Sequence, residues 1–248
     1  MSIKLLEDEI VAEVPFVKAI WAESGSAIAA LQKLEAYMPL NSLIGNHCKV
    51  CGLPVEHGDI CGDICANLKG WFSLQFITYS NARVLEPIML SLKNSEKSDI
   101  WQLDFFHQLI AESHLNSMIS GDVTIWMLAP NRLGKRSWPL NDALWGAWVS
   151  SDVGSQYLIP KELEQRPPRG QISSLVLDFG EDIDLKDKTV IVLDDFWTTG
   201  ATLGSIAHEL RRLGAKKVLG FTIGRQIRPD SPYKEKAYRQ LKDTNHGI

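Results

Sequence analysis

The chain has 248 residues, 45% of them hydrophobic and 23% charged, with a formal net charge of −4. That length can bury a full core, with room for one large domain and a small appendage, and the apolar share excludes disorder as the default. The negative balance excludes wholesale coating of nucleic acid, so any such contact must come from a local patch, and no apolar run reaches the length of a bilayer span. The N-terminal Met1-Ser2-Ile3-Lys4-Leu5-Leu6-Glu7-Asp8-Glu9 lacks the basic start and apolar core of a signal peptide. With four clustered cysteines, a cytoplasmic protein with reduced thiols is expected.

From Val14 to Tyr37, Phe16, Ile20, Ile28, Leu31 and Leu34 recur at helical spacing, with a break at Ser24-Gly25-Ser26. Two short helices are predicted there, ending at Pro39, their apolar faces packed on the domain. His47 to Cys65 is a compact stretch rich in cysteine, glycine and proline, with little periodicity. Cys48 and Cys51 form a C-x-x-C pair followed by Gly52-Leu53-Pro54, and Cys61 and Cys65 a C-x-x-x-C pair. Four soft ligands so close together suit a tetrahedral zinc ion, and a segment with almost no apolar core needs such a staple. His47 or His57 could replace one thiolate.

Further along, Leu74–Tyr79 reads as a strand, Ala82–Leu92 and Trp101–Met118 as helices, and Asp122–Ala129 as a strand stopped by Pro130. The loop beyond it offers Arg132, Lys135 and Arg136, charges that suit a polyanionic group. Trp138, Trp145 and Trp148 read as core aromatics in preference to a base-stacking surface. Asp142–Val149 is predicted helical and Leu175–Phe179 a short strand. Strand 189–194, helix 203–213 and strand 217–223 then form a β-α-β unit, with Gly214 at the helix C-terminus. The tail from Arg225 onward is polar and mildly basic. Strands alternating with helices predict an α/β domain with a mostly parallel sheet and its ligand at the carboxyl ends of the strands.

The β-α-β unit carries the densest chemistry. Val190-Ile191-Val192-Leu193 is followed by Asp194 and Asp195, then by Thr198, Thr199, Gly200, Ala201 and Thr202 ahead of a helix. Free N–H groups and the dipole at a helix N-terminus favour a phosphate, and neighbouring carboxylates accept hydrogen bonds from sugar hydroxyls. A sugar phosphate fits both. One cap residue would explain one acid and one threonine, but not the whole run.

This run resembles the signature of type I phosphoribosyltransferases for 5-phosphoribosyl 1-diphosphate (PRPP), departing from it in the bulky Phe196 and Trp197. With a cysteine knuckle ahead of it, the chain from about Pro39 to Arg225 resembles the ComF family of competence-associated proteins. The likeness is carried by Cys48-Lys49-Val50-Cys51-Gly52-Leu53-Pro54, Ala129-Pro130-Asn131-Arg132, Lys135-Arg136, and the stretch holding Arg166, Arg169 and Gln171. Where that family usually reads arginine-glycine-phenylalanine-asparagine, this chain has Arg136-Ser137-Trp138-Pro139-Leu140-Asn141.

The resemblance implies a type I phosphoribosyltransferase fold over 71–225, preceded by a helical segment (1–40) and a zinc knuckle (41–70) and followed by a polar tail (226–248). It implies that Asp194 and Asp195 meet the ribose hydroxyls directly or through the waters of a Mg²⁺ ion brought by PRPP. Thr198 to Thr202 would wrap the 5′-phosphate, and Arg132, Lys135 and Arg136 the diphosphate. It also implies a role in DNA uptake, with single-stranded DNA and uptake proteins as partners. Whether phosphoribose is transferred, and to what, stays open at this stage. A nucleobase or amine phosphoribosyltransferase of nucleotide salvage, or a non-catalytic PRPP sensor, are the alternatives.

Overall fold

The computed structural model describes residues 3–34, 36, 37, 39, 46–55, 57–80, 84–94, 100–113, 123–130, 156–161, 163, 167, 168, 170–180 and 183–226. Its centre is a five-stranded sheet of β1 (Phe72–Ser80), β2 (Val123–Leu128), β3 (Gln156–Leu158), β4 (Thr189–Trp197) and β5 (Lys217–Gln226). The spatial order is β1-β5-β4-β2-β3, and every neighbouring pair is parallel. Parallel strands are buried on both faces, which accounts for the unbroken run Val190–Leu193 in β4, each residue 1% exposed or less.

The faces are covered by different elements. On one, Val190, Val192 and Trp197 pack with Leu203, Ile206, Ala207 and Leu210 of helix α6 (Ala201–Arg212), and with Cys48, Val50, Cys51 and Cys65 of the cysteine segment. On the other, Ile191 and Leu193 share a core with α1 (Ile3–Ser24), α2 (Ala27–Lys33), α4 (Leu85–Asn94) and α5 (Ile100–Glu112). The break between α1 and α2 falls at the expected Ser24-Gly25-Ser26. Ser26 caps α2 by accepting from the Ala29 amide at 3.1 Å, while Glu112 of α5 accepts from Ser26 Oγ at 2.8 Å and from the Ile28 amide at 2.9 Å. Val14, Val17, Ala30 and Leu31 reach the core, whereas Phe16 is 59% exposed.

At the far end of α6 the expected Gly214 adopts φ +104°. Its amide donates to Arg211 O at 3.1 Å and that of Ala215 to Leu210 O at 3.0 Å, closing the helix as a Schellman motif.

Four expectations need correction. Both β4 and β5 run three residues beyond their predicted ends, so Asp194 lies opposite Thr222, Phe196 opposite Gly224 and Trp197 opposite Arg225. The acidic pair therefore lies inside the strand. Leu175–Phe179 is irregular: Leu175 and Leu177 are buried and Val176 is exposed, but the segment joins no ladder among the described residues. The cysteine stretch contains a short helix, α3 (Asp63–Leu68), and β3 was not anticipated. The predicted helix 142–149 and residues Trp138, Trp145 and Trp148 lie outside the described residues.

Candidate functional site

In the sheet, β3 lies on one side of β2 and the next strand in the chain, β4, on the other. The connections diverge at the β2–β4 boundary, the kind of switch point where open α/β sheets bind ligands. At its carboxyl end the Ala129 amide donates to Leu193 O at 2.8 Å, which sets Ala129 and Pro130 beside the start of the acidic pair.

The acidic pair marks a slip in β4. Val190 and Val192 share one core with Trp197, and Ile191 and Leu193 share the other with Phe196, so the alternation shifts by one between Leu193 and Phe196. Local side-chain hydrogen bonds take up the amides there: Asp194 Oδ1 accepts from the Asp195 amide at 2.9 Å, and Asp195 Oδ1 from the Phe196 amide at 2.6 Å. Both carboxylates are half-buried.

The turn follows directly. Gly200 has φ +85° and precedes the first residue of α6, and the first helical hydrogen bond runs from the Gly204 amide to Gly200 O at 2.8 Å. The amides of Ala201, Thr202 and Leu203 thus lie ahead of the helical ladder, and Thr199 Oγ1 accepts from the first of them at 3.3 Å. Gly200 is required twice. Its left-handed backbone favours glycine, and a Cβ there would lie 2.2 Å from Trp197 Cζ2. Phe196 is housed in the same way, since a Cβ on Gly224 would lie 2.1 Å from its Cε1. The two bulky residues that depart from the signature are each matched by a glycine.

The four cysteines converge. Their sulfurs all lie within 4.8 Å of one another, with Cys51–Cys61 and Cys61–Cys65 each at 3.5 Å. Tetrahedral zinc with Zn–S bonds of about 2.3 Å needs sulfurs about 3.8 Å apart, so the set fits the ion. Cys65 completes the cluster. Among the described residues the cluster consists of the four cysteines without His47, and His57 is exposed. The turn is fixed by the Gly52 amide donating to Cys48 O at 2.8 Å, by Gly52 at φ +70°, and by the buried Tyr79 hydroxyl donating to Gly52 O at 2.5 Å. Burial raises the Tyr79 pKa.

Hydrogen bonds from Cys51, then Cys61 and Cys65, hold the Cys48 thiol far below its ordinary pKa, while hydrogen bonding to Cys48 and then Cys51 pushes Cys61 and Cys65 far above theirs. Cys51 is also held below its ordinary value, the raising bond with Cys48 being outweighed by those with Cys61 and Cys65, and a divalent ion is the group that would let all four ligate as thiolates.

Between this cluster and the turn lies a cavity of about 310 Å³, walled by Cys51, Cys61 and Cys65 on one side and by Trp197, Thr198 and Thr199 on the other. Asp194 and Asp195 do not line it. Arg225 does, and sequence reasoning misplaced it. Instead of opening a solvated basic tail it sits in β5, 4% exposed, ringed by backbone carbonyls. The available signal was a lone arginine at the end of the strand run Val218–Gly224. Arg132, Lys135, Arg136, Arg166, Arg169 and the tail beyond Gln226 lie outside the described residues, whereas Gln171 is exposed.

No protein-family model and no curated protein matches this chain. Among solved structures it is similar to a hypoxanthine phosphoribosyltransferase from Staphylococcus aureus, with 13% identity over 58% of this chain and 83% of that one and a TM-score of 0.34. It is also similar to adenine phosphoribosyltransferase from Saccharomyces cerevisiae, with 11% identity, 62% and 78% coverage and a TM-score of 0.35. A purine phosphoribosyltransferase from Pyrococcus horikoshii gives 21% identity, 53% and 90% coverage and a TM-score of 0.32.

Proposed function

We propose that this chain is a phosphoribosyltransferase-type protein that binds PRPP with Mg²⁺ at the carboxyl ends of β2 and β4, with a zinc ion on its four cysteines. One observation carries the reading: a left-handed glycine turn opens α6 immediately after a strand bearing two adjacent carboxylates, at the switch point of a parallel sheet. Thr198 to Thr202 hold the 5′-phosphate, with the amides ahead of the helical ladder as donors. Asp194 and Asp195 accept from the ribose hydroxyls, and as hard oxygen donors they also suit a partly hydrated Mg²⁺. Bound with PRPP, Mg²⁺ would neutralise the diphosphate leaving group. Arg132, Lys135 and Arg136 follow β2 and supply cations for that diphosphate.

If the C1–O bond breaks here, positive charge develops on the ribose ring, and the half-buried carboxylates are the groups placed to stabilise it. The cysteine knuckle ahead of the turn supports the ComF-like reading, with a cytoplasmic role in handling incoming single-stranded DNA. A nucleotide-salvage transferase is the competing class. Release of diphosphate on addition of a nucleobase would favour it.

The test of the PRPP site is calorimetry of PRPP·Mg²⁺ on the wild type and on Asp194→Asn/Asp195→Asn. Binding by the wild type and none by a folded double variant is expected. Unchanged affinity in the variant would remove the assignment.

A further inference from the structure

Arg225 joins the two halves of the site. Its Nε donates to Cys51 O at 3.2 Å and its Nη2 lies 3.6 Å from Cys51 Sγ, while Nη1 donates to Trp197 O at 3.1 Å and Thr198 O at 3.0 Å. A further bond to Gln226 O at 2.6 Å fixes the guanidinium to its own strand. One planar cation thus holds a metal-ligand turn on one side and the entry to the phosphate turn on the other. Both anchors are buried: Cys51 is 0% exposed, and Trp197, 2% exposed, stacks on Phe72 at 5.5 Å.

Resting on the PRPP reading above, we propose that Arg225 is a positioning residue that couples occupancy of the cysteine cluster to the phosphate turn, so that metal and phosphate ester bind cooperatively. Four thiolates around a divalent ion carry a net charge of about −2. The guanidinium is the cation in contact with that charge among the described side chains, and an N–H donor to a ligating sulfur tunes and orients it. With the metal bound, Arg225 is drawn toward Cys51, and its bonds to the carbonyls of Trp197 and Thr198 fix the entry to the turn whose Ala201 to Leu203 amides lie ahead of the helical ladder. Without the metal no ion fixes the Cys51 sulfur, so the guanidinium's hold on the Trp197 and Thr198 carbonyls is loosened from the cysteine side. Coupling between sites is reciprocal, so a phosphate on the turn must also alter the metal centre. Arginine is suited to this because its fork addresses acceptors on two sides at once; lysine keeps the charge but not that reach.

The experiment uses the full chain loaded with Co²⁺ in place of zinc, because thiolate-to-cobalt absorption reports directly on the sulfurs. PRPP·Mg²⁺ is titrated into the wild type and Arg225→Lys, with heat and absorption followed together. In the wild type, PRPP binding is expected to shift the cobalt bands. In Arg225→Lys the metal stays bound, the bands no longer respond to PRPP, and PRPP affinity falls about tenfold. A second arm needs no substitution: chelator-treated, reduced wild type should bind PRPP about tenfold more weakly than the metal-loaded protein. PRPP binding that leaves the wild-type bands unmoved, or equal affinity with and without metal, overturns the coupling while the PRPP site stands. No heat from PRPP in the metal-loaded wild type overturns the site itself, and the coupling with it.

Discussion

Trp197 and Gly200 are fitted to each other: the indole of one occupies the space that any side chain on the other would need, with Cζ2 only 2.2 Å from a Cβ built on Gly200. The departure from the phosphoribosyltransferase signature is therefore compensated within the same turn. The indole also walls the cavity and lies on Phe72 of β1, so the turn is seated on the sheet core. A turn backed by a rigid aromatic has its amides preorganised, which an anion site requires.

Gly200→Ala should therefore be costly on two counts. The left-handed backbone disfavours alanine and the methyl strikes the indole, together about 2–5 kcal/mol. Trp197→Leu removes the collision but leaves a cavity, costing about 3 kcal/mol alone. The two effects should not add, because leucine relieves the clash, and the double variant is expected to be more stable than the sum by about 1 kcal/mol or more. Urea unfolding of the four proteins measures this. Strict additivity would show that the indole can move aside.

Zinc removal should destabilise the fold beyond the knuckle. Cys48, Cys51 and Cys65 belong to the same core cluster as Leu74, Val192 and Trp197. Reduced, purified protein should carry about one zinc per chain, and a chelator should lower Tm by many degrees. Binding needs deprotonated sulfurs, so acidification releases the metal. Elemental analysis and melting curves with and without chelator check this. Metal-free protein with an unchanged Tm would mean that the cysteines are packing residues.

Much of this arrangement was readable from local pattern. The apolar run ahead of Asp194, the small hydroxylated turn and Leu213-Gly214-Ala215 each follow from rules acting within a few residues. What escaped was decided by distant partners. The acidic pair read as the end of β4, yet the strand continues because Gly224, on β5, makes room for Phe196. Arg225 read as tail because charge predicts solvent, whereas here the carbonyls of Cys51, Trp197 and Thr198 take its place. Leu175 to Phe179 has the alternation of a strand but joins no ladder among the described residues, and at three residues β3 is too short to show a period.

Glu112 gives a stability prediction far from the site. It bonds both Ser26 Oγ and the Ile28 amide across the sheet face opposite α6. Glu112→Ala should destabilise the protein by about 1–3 kcal/mol and leave zinc content and PRPP affinity unchanged. Glu112 also contributes, after burial, to holding the Tyr37 pKa above 10.0. A tyrosine raised in the folded state gives stability that is complete below the unfolded pKa and lost as pH rises through the folded one. The wild type should thus lose stability above about pH 10, less steeply in the variant. Unfolding curves at pH 8 to 11 would show the difference (a range set by the ordinary tyrosine pKa of about 10). An equal alkaline decline would rule out the link to Tyr37.

Single-stranded DNA is the remaining partner to test, and the burial of Arg225 narrows where it can bind. The candidate charges are Arg132, Lys135 and Arg136 after β2, and Arg228, Lys234, Lys236, Arg239 and Lys242 beyond β5. If phosphates dominate, affinity falls steeply with salt, and removing each contacting charge flattens the logarithmic slope by about 0.7. Truncation after Gln226 should weaken DNA binding and leave PRPP affinity intact. PRPP should compete with DNA for the loop charges, since a diphosphate and a DNA backbone need the same cations. Arg225→Lys should not change the salt slope, because its guanidinium is committed to carbonyls inside the fold. Fluorescence anisotropy of a labelled oligonucleotide at two salt concentrations, with and without PRPP, measures all of these. Absence of binding at the lower salt would remove DNA from the partners and leave a small-molecule transferase or sensor.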